Sequence, residues 1–176
     1  SPTDSDSNNS YVVGVLATDT AGNTSDQILT TIIRDLSSTT WTQIGSDIDG
    51  EAAYDYSGNS VSLSSDGSIV AIGARENDGN GSNSGHVRIY QNLNGTWTKI
   101  GSDIDGEATS GSGYYSAYLG WSVSLSSDGS VVAIGARRGS RTGYVSIYRN
   151  NSGTWTKIGD DIYGEAAWDD FGESVS

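Results

Sequence analysis

The chain repeats itself, and the length of its period narrows the fold more than any other feature. The segment WTQIGSDIDGEA starts at Trp41, WTKIGSDIDGEA at Trp97 and WTKIGDDIYGEA at Trp155, 56 and 58 residues apart. Downstream of the first two, GNSVSLSSDGSIVAIGAR from Gly58 returns as GWSVSLSSDGSVVAIGAR from Gly120, and GESVS from Gly172 opens the same stretch again. A period in this range marks a supersecondary unit that buries its apolar face only against neighbouring copies.

Alternation and turn chemistry divide each unit into strands. Residues 60–63 and 69–73 alternate small or polar positions with Val, Leu and Ile, and the SSDGS between them supplies Asp66-Gly67 at a tight reversal. A third strand is expected over 86–90, where Val87 and Ile89 share a face. The turn NLNGT then leads to a fourth over 97–100, whose Trp and Ile suit a packed outer strand. The second copy predicts the same order over 122–125, 131–135, 144–148 and 155–158. Composition agrees: 24 Gly against one Pro, with 34% hydrophobic residues, fits many short strands and tight turns with enough apolar matter for a core. The predicted fold is all-β, made of four-stranded antiparallel β-propeller blades, two complete and two partial. The chain has no Met and closes inside a motif, so it is expected to be a slice of a longer product, joined to further blades of the same chain and, alone, prone to association.

These motifs resemble the FG-GAP repeat of integrin α-chain-like β-propellers: a Phe-Gly opening, a Ser-Val strand, an Asp-Gly turn and a hydrophobic strand ending Gly-Ala-Pro. Phe171-Gly172 with Ser174-Val175 matches the opening literally, whereas earlier copies carry Ser57-Gly58 and Leu119-Gly120. Gly73-Ala74-Arg75 and Gly135-Ala136-Arg137 put Arg where the family has Pro. The resemblance implies a ring of several blades on a secreted or cell-surface protein that binds partners. It also implies calcium in the loop between strands one and two, where family members place several spaced Asp. Calcium takes about 6 to 8 oxygen ligands, and SSDGS offers one carboxylate per copy, Asp66 or Asp128. Those two are expected to satisfy turn amides instead. Asp78 in ENDGNGSNSG is a second candidate calcium ligand, in a loop whose counterpart RRGSRTG has no acid.

Residues 1–36 leave the pattern. Apolar runs over 11–18 and 27–34 flank DTAGNTSD and read as a hairpin. YVVGVLATDTAGNTSDQILTTIIRD resembles the last two strands of bacterial Ig-like or cadherin-like domains, where an Ala-x-Asp segment can hold calcium; Asp19 sits at the matching position. The expected organisation is therefore 1–36 as the C-terminal hairpin of such a domain, 37–59 as the end of a preceding blade with its loop, 60–100 as the first complete blade, 101–121 as a variable loop, 122–158 as the second complete blade and 159–176 as the start of a third repeat.

Chemistry excludes several function classes. A net charge of −13 with only nine Lys and Arg argues against nucleic acid and anionic lipid surfaces, and no apolar run is long enough for a spanning helix. Without Cys there is no disulfide frame, thiolate metal site or thiol catalysis. The single His, His86, is replaced by Tyr144 in the second copy and is expected to be a surface strand residue. Asp47, Asp103 and Asp161 recur in register, as do Glu51, Glu107 and Glu165, which points to shared structural hydrogen bonds and not to one catalytic pair. The expectation is a non-enzyme.

The copies differ in length in only two places. From the Gly of GEA to the Gly before the Ser-Val strand, the second copy is six residues longer than the other two. Between strands two and three, 73–85 is four longer than 135–143. In an antiparallel blade these two connections lie at one end, so all length variation falls on one face. That face collects Tyr54, Tyr56, Tyr114, Tyr115 and Tyr118, the candidate ligand-binding residues, while Trp121 and Trp168 are expected to pack between blades. Amphipathic rings on irregular loops suit recognition of an extracellular protein or glycan surface. The expected role is an extracellular adhesion or binding module. An accessory domain of a carbohydrate-active enzyme and a passive spacer are the alternatives.

Overall fold

A computed structural model describes residues 41–108, 116–137 and 142–176 with their side chains, and the backbone of strands β1 (Ser10–Thr18) and β2 (Thr24–Ile32). The chain divides into two compact units, Ser1–Thr42 and Gln43–Ser176. In the first, β1 and β2 pair antiparallel from Ser10↔Ile32 to Thr18↔Thr24. The second strand begins at Thr24, three residues before the apolar run that predicts it, because ladder bonds come from the backbone and a polar Thr-Ser-Asp start costs them nothing.

The second unit is all-β, with no helix among the described residues. Its first sheet runs β3 (Ser57–Leu63), β4 (Ile69–Ala74), β5 (His86–Leu93), β6 (Thr96–Lys99), with β7 (Ile104–Asp105) also on β5. Its second runs β8 (Leu119–Leu125), β9 (Val131–Ala136), β10 (Tyr144–Asn151), β11 (Thr154–Lys157), with β12 (Ile162–Tyr163) also on β10. Both are antiparallel and in the sequence order of their strands, as propeller blades are.

The turns follow the sequence closely. In the β3–β4 reversal, Asp66 Oδ1 accepts from Ser64 Oγ at 2.7 Å, Ser68 N at 2.9 Å and Ser68 Oγ at 2.8 Å. Asp128 does the same with Ser126 and Ser130. These donors, led by the Ser68 amide for Asp66 and the Ser126 hydroxyl for Asp128, hold both carboxyls down at about 2. The β5–β6 turn places Asn94 and Gly95 both at positive φ (53° and 89°), as a two-residue hairpin that follows strand twist requires.

Two features were not legible as strand. Each outer strand is broken: Gly101 at φ 73° swings the chain off β5 after Ile100, and β7 returns to pair with His86 and Val87. Asp103 fills the break by accepting from Arg88 Nε at 3.1 Å and Nη2 at 2.9 Å and from Lys99 Nζ at 2.6 Å. Asp161 fills the equivalent break with Ser146 and Lys157. Each inner strand also starts three residues early and carries a bulge, the register slipping between Ser57 and Ser60 and between Leu119 and Ser122.

Glycine carbonyls at one repeat position join the blades. The β8 bulge turns the Gly120 carbonyl toward the preceding repeat, where Ser60 Oγ donates to it at 2.7 Å, and Gly172, at the same position of the next repeat, accepts from Ser122 Oγ at 2.9 Å. At the outer strands, Trp97 Nε1 donates to Ile44 O and Trp155 Nε1 to Ile100 O, at 2.9 and 3.1 Å. Between these seams, Ser60, Ser62, Ala71 and Gly73 share a face of the first blade, where Leu125 N donates to Ser62 Oγ at 2.9 Å and Val123 and Leu125 join the core that contains Ala71. Small side chains on one face and bulky ones on the other let the sheets approach closely. The core combines Ala71, Val87, Ile89 and Ile104 with Leu119, Val123, Val132, Ile134, Ala136 and Tyr144. Val61 and Leu63, the first-blade equivalents of Val123 and Leu125, stand 55% and 57% exposed.

Candidate functional site

The connections into β3 and β8 and the β4–β5 and β9–β10 loops lie at one end of the blades, and the two longest of them meet there. Ser116 Oγ donates to Ser82 O at 3.0 Å, Tyr118 N to Asn83 O at 3.1 Å and Leu119 N to Ser84 O at 3.0 Å. Ser84, Ser116 and Ala117 are fully buried by this junction. The four extra residues of one loop and the base of the six-residue insertion in the next repeat thus accommodate each other. Tyr114 and Tyr115, in that insertion, and Asp19, in the hairpin turn, lie outside the described residues. Asp78 caps its own loop, accepting from Asn83 N at 2.8 Å.

Aromatic residues are displayed by an unusual backbone. Tyr54 and Trp168 occupy the same repeat position at φ 72° and 71°; Tyr56, Tyr118 and Asp170 occupy another at φ 53°, 51° and 56°. Positive φ is costly for a bulky side chain, so these turns are held by other contacts. Asp55 between the two tyrosines is buried, with its carboxylate 2.7 Å from the Asn77 amide that donates to it. Asp169 takes the Ala166 and Phe171 amides, both at 3.1 Å. Tyr54 is 86% exposed and Trp168 67%. The Trp168 ring, expected to pack between blades, keeps most of its surface exposed in the described chain.

Trp121 is different. Lifted out by the β8 bulge, its ring has the Arg75 guanidinium at 4.4 Å and that of Arg137 at 4.9 Å, and Tyr118 meets it edge-on at 6.3 Å. Arg75 also lies 4.7 Å from the Tyr56 ring. These two arginines are the residues standing in the Gly-Ala-Arg positions, and the departure from Gly-Ala-Pro was the sequence signal for them. With Glu76, Trp168 and Asp170 they line a cleft of about 270 Å³ to which three successive repeats contribute. Two larger clefts, about 340 and 360 Å³, occur at the outer rim, one beside Trp97 and one beside Trp155. They repeat because the Trp-to-carbonyl seam repeats, which makes them a product of blade packing.

At the base of the first blade, Glu51, His86 and Asp103 present ligand atoms within 4.8 Å of one another. Arg88 occupies the same place, paired with Glu51 and Asp103 together. Burial opposes both charges, yet the hydrogen bonds between them raise the Arg88 pKa and lower that of Asp103. A site already filled by a guanidinium and by Lys99 does not fit a further cation. His86 is buried, 3% exposed, where a surface position was expected. Its cross-strand partner is Asp105; the second blade has Tyr144 and Tyr163 there, with rings 5.8 Å apart. Burial, then the charge of Arg88, lowers the His86 pKa. Burial, then the neighbouring Asp103 charge, raises that of Asp105.

Fold and seam define a repeat protein built of antiparallel four-stranded blades. Residues 47–90, from the broken outer strand of one repeat to the third strand of the next, match the FG-GAP repeat. No match to the chain was found among curated proteins.

Proposed function

We propose that this chain is a non-catalytic binding module of an extracellular or cell-surface protein, recognising a protein or glycan surface through the face that carries the variable loops. The observation that supports it most directly is the exposure of Tyr54 and Trp168 on left-handed turns. Backbone strain and exposed aromatic area both oppose folding, and their coincidence at one position of two repeats suits a residue kept for contact. A non-catalytic role fits the placement of the ionisable groups: the lone His is buried beside an ion-paired Arg, and Asp103 and Asp161 close the outer-strand breaks. In this reading the blades belong to an integrin α-like ring with further blades of the same chain, and β1–β2 ends an Ig-like or cadherin-like domain.

The test is binding of the whole chain to immobilised glycans and extracellular matrix proteins. Tyr54→Ser and Trp168→Ser should each weaken capture, and removing residues 110–115 should weaken it while leaving the Ser116 junction and the fold intact. Capture unchanged in all three variants overturns the proposal.

A further inference from the structure

The cleft at the meeting of three repeats has a chemistry that the face as a whole does not, and it turns on a difference between two equivalent arginines. Arg137 is closed: its Nε and Nη2 both reach Asp170 Oδ1 at 2.7 Å. The position that Asp170 holds in its repeat is held one repeat earlier by Tyr118, so Arg75 has no carboxylate arriving from the next repeat. Among the described residues its one ion pair is with its chain neighbour Glu76 at 3.1 Å, and its Nε is sealed from solvent without an acceptor. The side chain is only 19% exposed and is held between the Tyr56 and Trp121 rings. A guanidinium carries five donors in a rigid fork. The sealed Nε is out of a ligand's reach, but the terminal nitrogens make no hydrogen bond among the described residues beyond the Glu76 ion pair, which leaves hydrogen-bonding capacity for something that enters the cleft.

Three properties of the lining say what that is. Charge is balanced, two arginines against Glu76 and Asp170, within a chain of net charge −13; neither a cation nor an anion is favoured over a neutral group. The walls are aromatic, with Trp168 standing free on its left-handed turn. The volume, about 270 Å³, sits just under the range of roughly 300–1,000 Å³ usual for small-molecule pockets, which admits one ring and no folded element. A hydrocarbon side chain would fit the walls but leave the terminal nitrogens of Arg75 without a further hydrogen-bond acceptor. A pyranose meets all three: its C–H face lies on an aromatic ring, its ring and hydroxyl oxygens accept from Arg75, and its hydroxyls donate to Glu76 or Asp170. We propose that this cleft is a subsite for one neutral hexose unit of a glycan, with Arg75 and Trp168 as its principal contacts. The inference rests on the binding role proposed above and narrows it to one ligand class.

The experiment is saturation-transfer NMR on the whole chain with methyl glycosides of glucose, galactose and mannose, alongside glucuronate and acetate. At least one neutral glycoside should bind saturably, and more tightly than glucuronate or acetate. Trp168→Ala, at an exposed position, and Arg75→Lys, which keeps the charge and loses the fork, should each weaken it about tenfold. No saturable neutral glycoside, preference for the carboxylate probes, or binding unchanged in both variants overturns the sugar subsite. Capture of a matrix protein that persists in Trp168→Ala and fails in Tyr54→Ser would overturn it too, while leaving the broader binding role standing.

Discussion

Replacing Gly73 by Ala tests the account of how the blades are held. Gly73 needs glycine for space: a Cβ there would sit inside contact distance of both Gly120 O and Ser60 Oγ, the two partners of the inter-repeat hydrogen bond. One obstacle is backbone that carries the β8 bulge, so it cannot rotate away. Forcing a methyl into such a contact costs about 1–3 kcal/mol, and losing the Ser60–Gly120 bond adds about 1 kcal/mol, for a total of about 2–4 kcal/mol. Gly67 is the control. An added Cβ meets nothing within 4 Å, but the residue sits at φ 71°, so Gly67→Ala carries only a backbone penalty of about 1–2 kcal/mol. Urea unfolding followed by tryptophan fluorescence gives both values. Ser60→Ala sharpens the test, because it removes one of the two obstacles: the double variant Ser60→Ala/Gly73→Ala should lose less than the sum of the single losses. A Gly73→Ala protein within about 0.5 kcal/mol of the parent would show that the blades are not in this contact, and additivity of the pair would show that Ser60 plays no part in it.

The outer seam should be weaker. Trp155→Phe removes the indole donor to Ile100 O and should cost about 0.5–1.5 kcal/mol by urea midpoint, with Trp97→Phe costing less because its bond to Ile44 O is exposed. The two turn aspartates set part of the acid limb. Their carboxyls titrate at about 2 in the fold against 3.8 as the ordinary value, so their contribution is present above about pH 4 and is lost as pH falls toward 2. Asp66→Asn with Asp128→Asn should flatten the melting temperature across that window. His86 acts in a higher one: its pKa lies below the ordinary 6.5, so the uncharged form is favoured in the fold, and stability is complete above 6.5 and falls as the imidazole is driven to protonate. His86→Tyr, the second blade's own residue, should remove that slope from thermal melts begun at pH 7 and carried downward; an unchanged slope would place the acid sensitivity elsewhere.

Most of the blade was legible because its signals are local. Asp66-Gly67 and Asn94-Gly95 dictate their turns through side-chain acceptors and positive φ, and the alternation over Val87 and Ile89 marks a face that is buried as read. What escaped depends on chain segments that meet only in the fold. β7 and β12 are two residues each, too short for alternation to register, and they follow a glycine break that reads as loop. His86 opens its strand and so looked exposed; the residues that cover it, Glu51 and the β7 strand, arrive from both sides of the sequence. Arg75 was visible as a departure from Gly-Ala-Pro, but its role needed Trp121 of the next repeat.

Repetition also determines where function can be sought. Several residues shared by the two blades are accounted for by their neighbours in the fold: Gly73 and Gly135 by the carbonyls of Gly120 and Gly172, Trp97 and Trp155 by the carbonyls they bond, Asp103 and Asp161 by the strand breaks they close. Difference between copies is the remaining place to look, yet difference alone is not enough, since the long β4–β5 loop and the base of the insertion before β8 are different together and bury each other. Compensated change is structure; uncompensated change is left for a partner. By that criterion the Tyr118 position is the informative one. Asp170 answers Arg137, whereas Tyr118 sends no carboxylate to Arg75, and nothing else in the described chain completes the fork. A Tyr118→Asp variant supplies the missing partner. It should close Arg75 as Arg137 is closed, raise stability by up to about 1 kcal/mol as a partly buried charge-assisted pair, and abolish glycoside binding in the cleft. A variant that gains stability and still binds the glycoside as before would separate the open fork from the ligand and leave Arg75 a packing residue only.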